Sequence, residues 1–289
     1  GIPCEIEKIQ LLAQSKQLFL LEDCALTLGS SVNGIIVGNF GDAALFSTDH
    51  TKPLNTLTGG MIYTKNKKLA KLMRSSRDKF EDLPINKQYS LWNRLLIERK
   101  FCDSGHYGKM KIIDHLYSLA IKIFGVTPPF LSDDFRANSS LSSYPYPAKF
   151  PVFLAKLGIY EVERWQKVSR VRKNMFNSLI TLFNKSNCKK YIPTPYSDPS
   201  LDIIPLRFVW SEPNGNLRRD LLSDFIHVEW TWFMRPIIAT NDPLEKFGYK
   251  NGTSPISEKV GLNMINLPCN IDTYEHKKLL KKLEDTMIL

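Results

Sequence analysis

Short apolar runs separated by polar or glycine-rich stretches dominate the first 64 residues. They are Leu18 to Leu21, stopped by Glu22 and Asp23, then Ile35 to Val37 and Ala43 to Phe46 after the Gly/Ser-rich stretch Gly29 to Gly34, and finally Met61 to Thr64. Runs this short predict strands rather than helices. They are bracketed by two helical patterns, one carrying Ile6, Ile9, Leu11 and Leu12 and the other spanning Lys67 to Arg77. Buried strands alternating with helices predict an α/β fold with a sheet covered on both faces, where ligands gather at strand ends. The polar residues that close each run are therefore the ones to examine for chemistry.

A chain of 289 residues has length for about two domains. Hydrophobic residues at 43%, with 16 Phe, 11 Tyr and 5 Trp, exclude wholesale disorder and a fibrous repeat. The longest apolar candidate, Lys109 to Val126, is broken by Lys111, Asp114, His115 and Lys122, so no window meets the roughly 18 residues a spanning helix needs. A formal charge of +10 favours anionic partners such as nucleotides, phosphorylated metabolites or a membrane surface. It does not choose among them, and no recognisable nucleic-acid reading module accompanies it. Cys4, Cys24, Cys102, Cys188 and Cys269 form no CxxC pair and have no His at ligand spacing, which predicts no metal site, no disulfide framework and a cytoplasmic location. The first residues contain neither Met nor a signal peptide, and predict a chain that begins partway through a longer protein.

Four regions follow from composition. Residues 1–80 are the strand-rich block. Residues 81–143, with Pro84, Pro128 and Pro129 and a run of serines, predict an insertion holding one amphipathic helix near Lys109 to Val126. That helix has two readings: docking on its own domain or dimer mate, or lying on an anionic membrane. Residues 144–183 lead into and include a long connecting helix from Ala155 to Phe183. Residues 184–289 predict a smaller domain with strand Ile203 to Trp210, helix Leu217 to Phe225 and a terminal helix from Asp272.

Four segments stand in fixed order: Glu22-Asp23-Cys24-Ala25, Gly38-Asn39-Phe40-Gly41-Asp42, Ser47-Thr48-Asp49-His50-Thr51-Lys52, and Gly59-Gly60-Met61-Ile62. Ser47 precedes Lys52 by five residues, and the glycine pair follows it by seven and eight. With this pattern the chain resembles the sugar aminotransferases of the DegT/DnrJ/EryC1/StrS family, which use pyridoxal phosphate on an aspartate-aminotransferase-like fold of type I. The resemblance implies a partial large cofactor-binding domain followed by a smaller C-terminal α/β domain. It implies Lys52 as the lysine that condenses with the cofactor aldehyde and shuttles protons, a task needing an amine able to shed its charge. It implies Asp23 as the carboxylate that keeps the ring nitrogen protonated and Ser47 as a phosphate contact. Glutamate and a keto sugar, nucleotide-linked, would be the substrates, and the assembly a homodimer.

Each residue also has a plainer role open to it: Lys52 on the surface, Asp23 capping a turn, Ser47 satisfying its own backbone. His50, near the lysine, is a neighbour rather than the base in this reading. Departures from the family stand at Leu26, where a polar residue is usual, and at Pro147 and Lys149, which align with an Asn and an Arg. Downstream, Ser254 to Glu258, Ile265 to Cys269 and Arg219-Asp220 resemble signatures of the family's small domain. The family's chain also has about a third of its length ahead of this start, holding the phosphate-cradling loop and the aromatic that stacks on the ring. A non-catalytic scaffold on the same fold, or an inactive truncated product, remains the competing expectation.

Overall fold

A computed structural model describes residues 1–101, 147–223, 243–271 and 273–287, with a few isolated positions between them. Helix α1 (Ile6–Ser15) leads into a sheet of order β1-β4-β5, made of β1 (Leu21–Asp23), β4 (Ala43–Ser47) and β5 (Gly60–Tyr63). β1 runs parallel to β4, with Asp23 opposite Leu45, and β5 returns antiparallel, with Gly60 opposite Ser47. Between β1 and β4 lies a small hairpin of β2 (Ser31–Val32) and β3 (Ile35–Ile36), whose β2 pairs with β6 (Leu201–Asp202). Helix α2 (Lys67–Arg77) follows, started by Asn66, whose side chain accepts from Lys68 N–H and Leu69 N–H. Helices α3 (Ile85–Phe101) and α4 (Val152–Lys185) come next, then β7 (Arg207–Ser211), α5 (Gly215–Ser223), α6 (Pro255–Asn263), β8 (Met264–Pro268) and α7 (Thr273–Met287).

Three apolar cores hold these elements. The largest joins Met175, Phe176, Leu179 and Phe183 of α4 to Phe208 and Trp210 of β7, Ile265 and Leu267 of β8, and Leu279 and Leu283 of α7. Its aromatic rings meet edge-on or tilted, with Phe183 5.1 Å from Trp210 and Phe176 4.8 Å from Tyr196. A second core gathers Ile6, Cys24, Val32, Val37, Phe40 and Ala44 under the first sheet. In a third, Leu57, Leu83, Leu91 and Leu154 pack together. α4 thus reaches two cores, Leu154 near its start serving one and its second half the other.

Four expectations need correction. The first strand is Leu21–Asp23, not Leu18 to Leu21: Leu18 and Phe19 are exposed, and pairing with β4 rather than hydrophobicity fixes the strand. The sheet is not covered on both faces among the described residues, since every residue of β5 is exposed and α2 buries none. Residues 81–143 include α3, a helix that the prolines obscured, because Pro84 precedes its first turn and accepts from Lys87 N–H and Gln88 N–H. The strand expected from Ile203 begins only at Arg207, after Pro205, which has no N–H to give a ladder. The expected amphipathic helix at 109–126 lies outside the described residues apart from His115, Leu116, Leu119 and Ile123. Within the described residues no helix is long and apolar enough to cross a membrane.

Candidate functional site

Alternation along β1 separates its two acids. Successive side chains in a strand point to opposite faces, and here Glu22 is buried while Leu21 and Asp23 are exposed. The Glu22 carboxylate is cradled by three backbone donors, Gly38 N–H at 2.7 Å on Oε2, and Phe40 N–H at 2.8 Å and Gly41 N–H at 2.6 Å on Oε1. Gly38 has φ +95, a conformation glycine adopts without strain. The Gly-x-x-Gly-Asp segment is therefore folded around Glu22. Asp42 then ties the loop back, accepting Leu20 N–H at 2.8 Å through its side chain and donating its own N–H to Leu20 O at 2.9 Å.

Asp23 and Ser47 end parallel neighbours. Asp23 lies opposite Leu45, two residues before Ser47, so both sit at the carboxyl-terminal end of the β1–β4 pair. The Asp23 Oδ1 accepts Ala25 N–H at 3.0 Å, and the Ser47 Oγ accepts Asp49 N–H at 3.3 Å. Each side chain therefore also steadies its own turn, the plainer role open to it on sequence grounds.

Lys52 is carried by the loop joining Ser47 to Gly60. Thr48 N–H donates to Gly59 O at 3.0 Å, His50 N–H to Leu57 O at 3.1 Å and Thr56 N–H to Thr48 O at 2.9 Å, closing the loop's base. The buried Thr56 hydroxyl lies 2.7 Å from Thr48 Oγ1, and Asn55 bridges the loop by donating to His50 O at 3.1 Å and accepting Leu57 N–H at 2.8 Å. Lys52 N–H donates to Asp49 O at 2.9 Å, placing it on a tight turn with Asp49 and His50. The Asp49 Oδ1 is 2.6 Å from His50 Nδ1. Burial would raise the Asp49 pKa, but the His50 imidazole, Thr51 N–H and Lys52 outweigh it and hold the carboxyl below its usual value.

The glycine pair serves packing as well as position. Gly59 has φ +94, and a Cβ there would stand 2.4 Å from Phe150 Cε2; at Gly60 it would stand 2.7 Å from Phe46 O. Phe150 thus presses the residues before α4 onto the Lys52 loop. Beside it, a cavity of about 440 Å³ is lined by Asp82, Gln88, Lys149, Phe153 and Lys156, among others. Lys149 N–H donates to Glu81 O at 2.8 Å, and Leu26 and Pro147 are both exposed. In the C-terminal part, Arg219 donates to Met264 O at 2.6 Å, and Glu258 accepts Gly252 N–H at 2.8 Å. Of the expected signatures there, Ile265 to Pro268 lie in β8, paired with β7.

Residues 1–112 match the model of the DegT/DnrJ/EryC1/StrS aminotransferase family. The chain is 26% identical over 268 residues to GDP-perosamine synthase of Escherichia coli O157:H7, across 93% of this chain and 57% of that protein. It is 25% identical over 226 residues to the lipopolysaccharide biosynthesis protein RfbH of Salmonella typhimurium, across 77% of this chain and 45% of that one. Its structure matches the PLP-form of the sugar aminotransferase Spr1654 of Streptococcus pneumoniae with a TM-score of 0.60 at 14% identity, over all of this chain and 66% of that one. The chain is similar to these proteins and shares the type I fold of the aminotransferase structures, and it spans about half to two thirds of their length.

Proposed function

We propose that this chain carries the lysine-bearing part of a pyridoxal-phosphate-dependent aminotransferase that moves an amino group from glutamate to a keto sugar, nucleotide-linked, in the making of polysaccharides or amino sugars. The observation that carries the reading is topological. The β1–β4–β5 register brings a carboxylate, a hydroxyl and a lysine-bearing loop to one end of a parallel strand pair, where α/β sheets bind ligands. This donor set fits the cofactor. Asp23, on the exposed face of β1, would hold a proton on the ring nitrogen, and Ser47 would donate to the phosphate. When bound, the cofactor supplies the aldehyde and the electron-withdrawing ring. Lys52 would bind that aldehyde through its amine and, once the amino donor has displaced it, take and return the proton at the reacting carbon. The rigid loop base limits where that amine can reach. A positive net charge would draw in an anionic sugar carrier. A homodimer is the assembly we propose.

The competing reading is a scaffold of the same fold without turnover. It is favoured by exposed Leu26 and by Pro147, neither of which has a side-chain polar group to offer a cofactor. One experiment separates the two. Incubating the protein with pyridoxal phosphate, reducing with borohydride and mapping the adduct by peptide fragmentation should find it on Lys52 and lose it in Lys52→Ala. Half-transamination by glutamate, followed by the loss of the cofactor's visible band, then distinguishes the enzyme from the scaffold. An adduct spread over surface lysines would refute the site.

A further inference from the structure

Helix α3 turns its apolar stripe outward. Its sheltered side holds the buried Ser90 and Leu91 and the ion pair of Arg94 with Glu98 at 2.7 Å, whereas Ile85, Tyr89, Trp92 and Leu96 are 65%, 64%, 45% and 51% exposed. Positions i, i+4, i+7 and i+11 share one face of a helix, and here they make a stripe about 16 Å long. Looseness does not account for it, because the other side is docked on α4. Leu91 packs with Leu154, the Trp92 ring meets the Phe153 ring edge-on at 5.5 Å, and Arg99 donates to Glu161 at 2.9 Å. Large apolar side chains held outward on an anchored helix mark a surface that meets something apolar.

We propose that this face of α3 lies on an anionic membrane surface, with the helix parallel to the bilayer plane. Two observations choose that occupant. The stripe is centred on Tyr89 and Trp92, the kinds of side chain that settle between lipid headgroups and acyl chains. The helix also carries four Lys or Arg against one acid, and that acid, Glu98, is sheltered beside Arg94. Its exposed polar residues are Asn86, Asn93, Arg99 and Lys100, with no acid among them. At that end Glu161 is shared between Arg99 and Arg164, the latter at 3.3 Å, one carboxylate for two guanidiniums. The exposed acids Glu81 and Asp82 come before the helix, where Asp82 shares a cavity with Lys149 and Lys156. A second copy would bring the same acid-free face of α3 against itself, whereas anionic headgroups supply the opposite charge. Further along the chain Leu116, Leu119 and Ile123 are exposed as well, again at the spacing of one helix face. The proposal is independent of the role given to Lys52.

Flotation of the full chain with vesicles of phosphatidylcholine and phosphatidylglycerol in equal parts tests this. At about 0.1 M NaCl, recovery should exceed that with pure phosphatidylcholine by about fivefold or more, and it should fall by about threefold or more at about 0.5 M NaCl. Tyr89→Glu combined with Leu96→Glu should cut recovery by about tenfold while circular dichroism stays native, since both side chains are exposed. Leu72→Glu, an equally exposed change on α2, should leave recovery as it was. If the double variant fails to fold, Trp92→Phe takes its place, because it keeps a ring against Phe153. Quenching of tryptophan fluorescence by brominated phosphatidylglycerol, present in the native chain, should then be largely lost. Absence of flotation, flotation indifferent to phosphatidylglycerol and salt, or quenching unchanged in Trp92→Phe overturns the proposal. So does a lipid-free dimer in sedimentation velocity that the double variant abolishes, which would assign the stripe to a second copy.

Discussion

Replacing Glu22 by Gln probes the contact that shapes the site's end of the sheet. The carboxylate accepts three backbone N–H groups between 2.6 and 2.8 Å, from Gly38, Phe40 and Gly41, and is buried. Hydrogen bonds to a charged group contribute about 1.5 to 3 kcal/mol each and neutral ones about 1. Gln keeps an oxygen for Phe40 and Gly41 but weakens both bonds by about 1 kcal/mol, and turns an amide N–H₂ toward Gly38 N–H, stranding a donor at about 1 to 3 kcal/mol. The sum is about 3 to 5 kcal/mol, equal to a change of about two to nearly four decades in an opening equilibrium. Hydrogen exchange resolved to residues 36–42 is the suitable assay, because several cores make a single global unfolding free energy ill-defined. Exchange at Gly38, Phe40 and Gly41 should accelerate about a hundredfold or more, while exchange in α7 stays as it was. Glu7→Gln, which weakens only the exposed contact with Asn33, is the control and should change nothing measurable. An acceleration below about fivefold would refute the view that Glu22 organises the loop.

Gly60→Ala should destabilise the protein by about 2 to 3 kcal/mol in urea titrations and reduce borohydride trapping on Lys52, since the new Cβ meets the Phe46 carbonyl, which is backbone and cannot swing away. Iodoacetamide at pH 8 should alkylate exposed Cys4 and spare Cys24 and Cys269, whose thiols burial pushes up to about 11 and about 12. His276 has its Nε2 buried without a partner among the described residues, and burial holds its pKa below the usual value. Protonation therefore favours the unfolded chain, and stability should fall as pH drops through about 6.5, with His276→Gln flattening that slope in urea midpoints between pH 7.5 and 5.5.

What could be read in advance was whatever local chemistry alone decides. α2 appears over Lys67–Arg77 as expected because Asn66 caps it, and α1 forms where Ile6, Ile9, Leu11 and Leu12 predicted it, although only Ile6 of these is buried, with Ala13 beside it. The spacing of Ser47, Lys52 and the glycine pair was read through the family resemblance, and the structure adds that the loop joining them is internally bonded. α3 was missed although Ile85, Tyr89, Trp92 and Leu96 recur at the spacing of one helix face; that face is exposed while Leu91 is buried, and the surrounding prolines read as an insertion. Glu22 was passed over in favour of Asp23, although strand alternation implies that adjacent acids cannot share a face. The three N–H groups that Glu22 collects belong to a loop 16 to 19 residues away, and only tertiary structure reveals them. Phe150 on Gly59 is a contact of the same kind, spanning more than 80 residues of chain.

These long-range contacts explain why the Lys52 loop depends on two parts of the chain at once. Its strands are fixed from within residues 20–64, through Glu22, Asp42 and the β4–β5 register. Its packing is fixed from outside, by Leu57 against Leu83, Leu91 and Leu154 and by Phe150 against Gly59. The same block is joined to the C-terminal core through Ser30, whose Oγ accepts Ile204 N–H at 3.0 Å, and through β2 pairing with β6. Arg172 extends that joint, donating to Pro205 O and Leu206 O from the middle of α4. A substitution in the third core, such as Leu154→Ala, should therefore disturb the lysine loop more than an equal cavity at Phe183, although Phe183 is larger and just as buried. Leu154 touches the packing that seats Leu57, whereas Phe183 packs in the separate core that joins α4 to β7, β8 and α7. In this fold, closeness to the site is measured by shared packing, and α4 is the element that carries it.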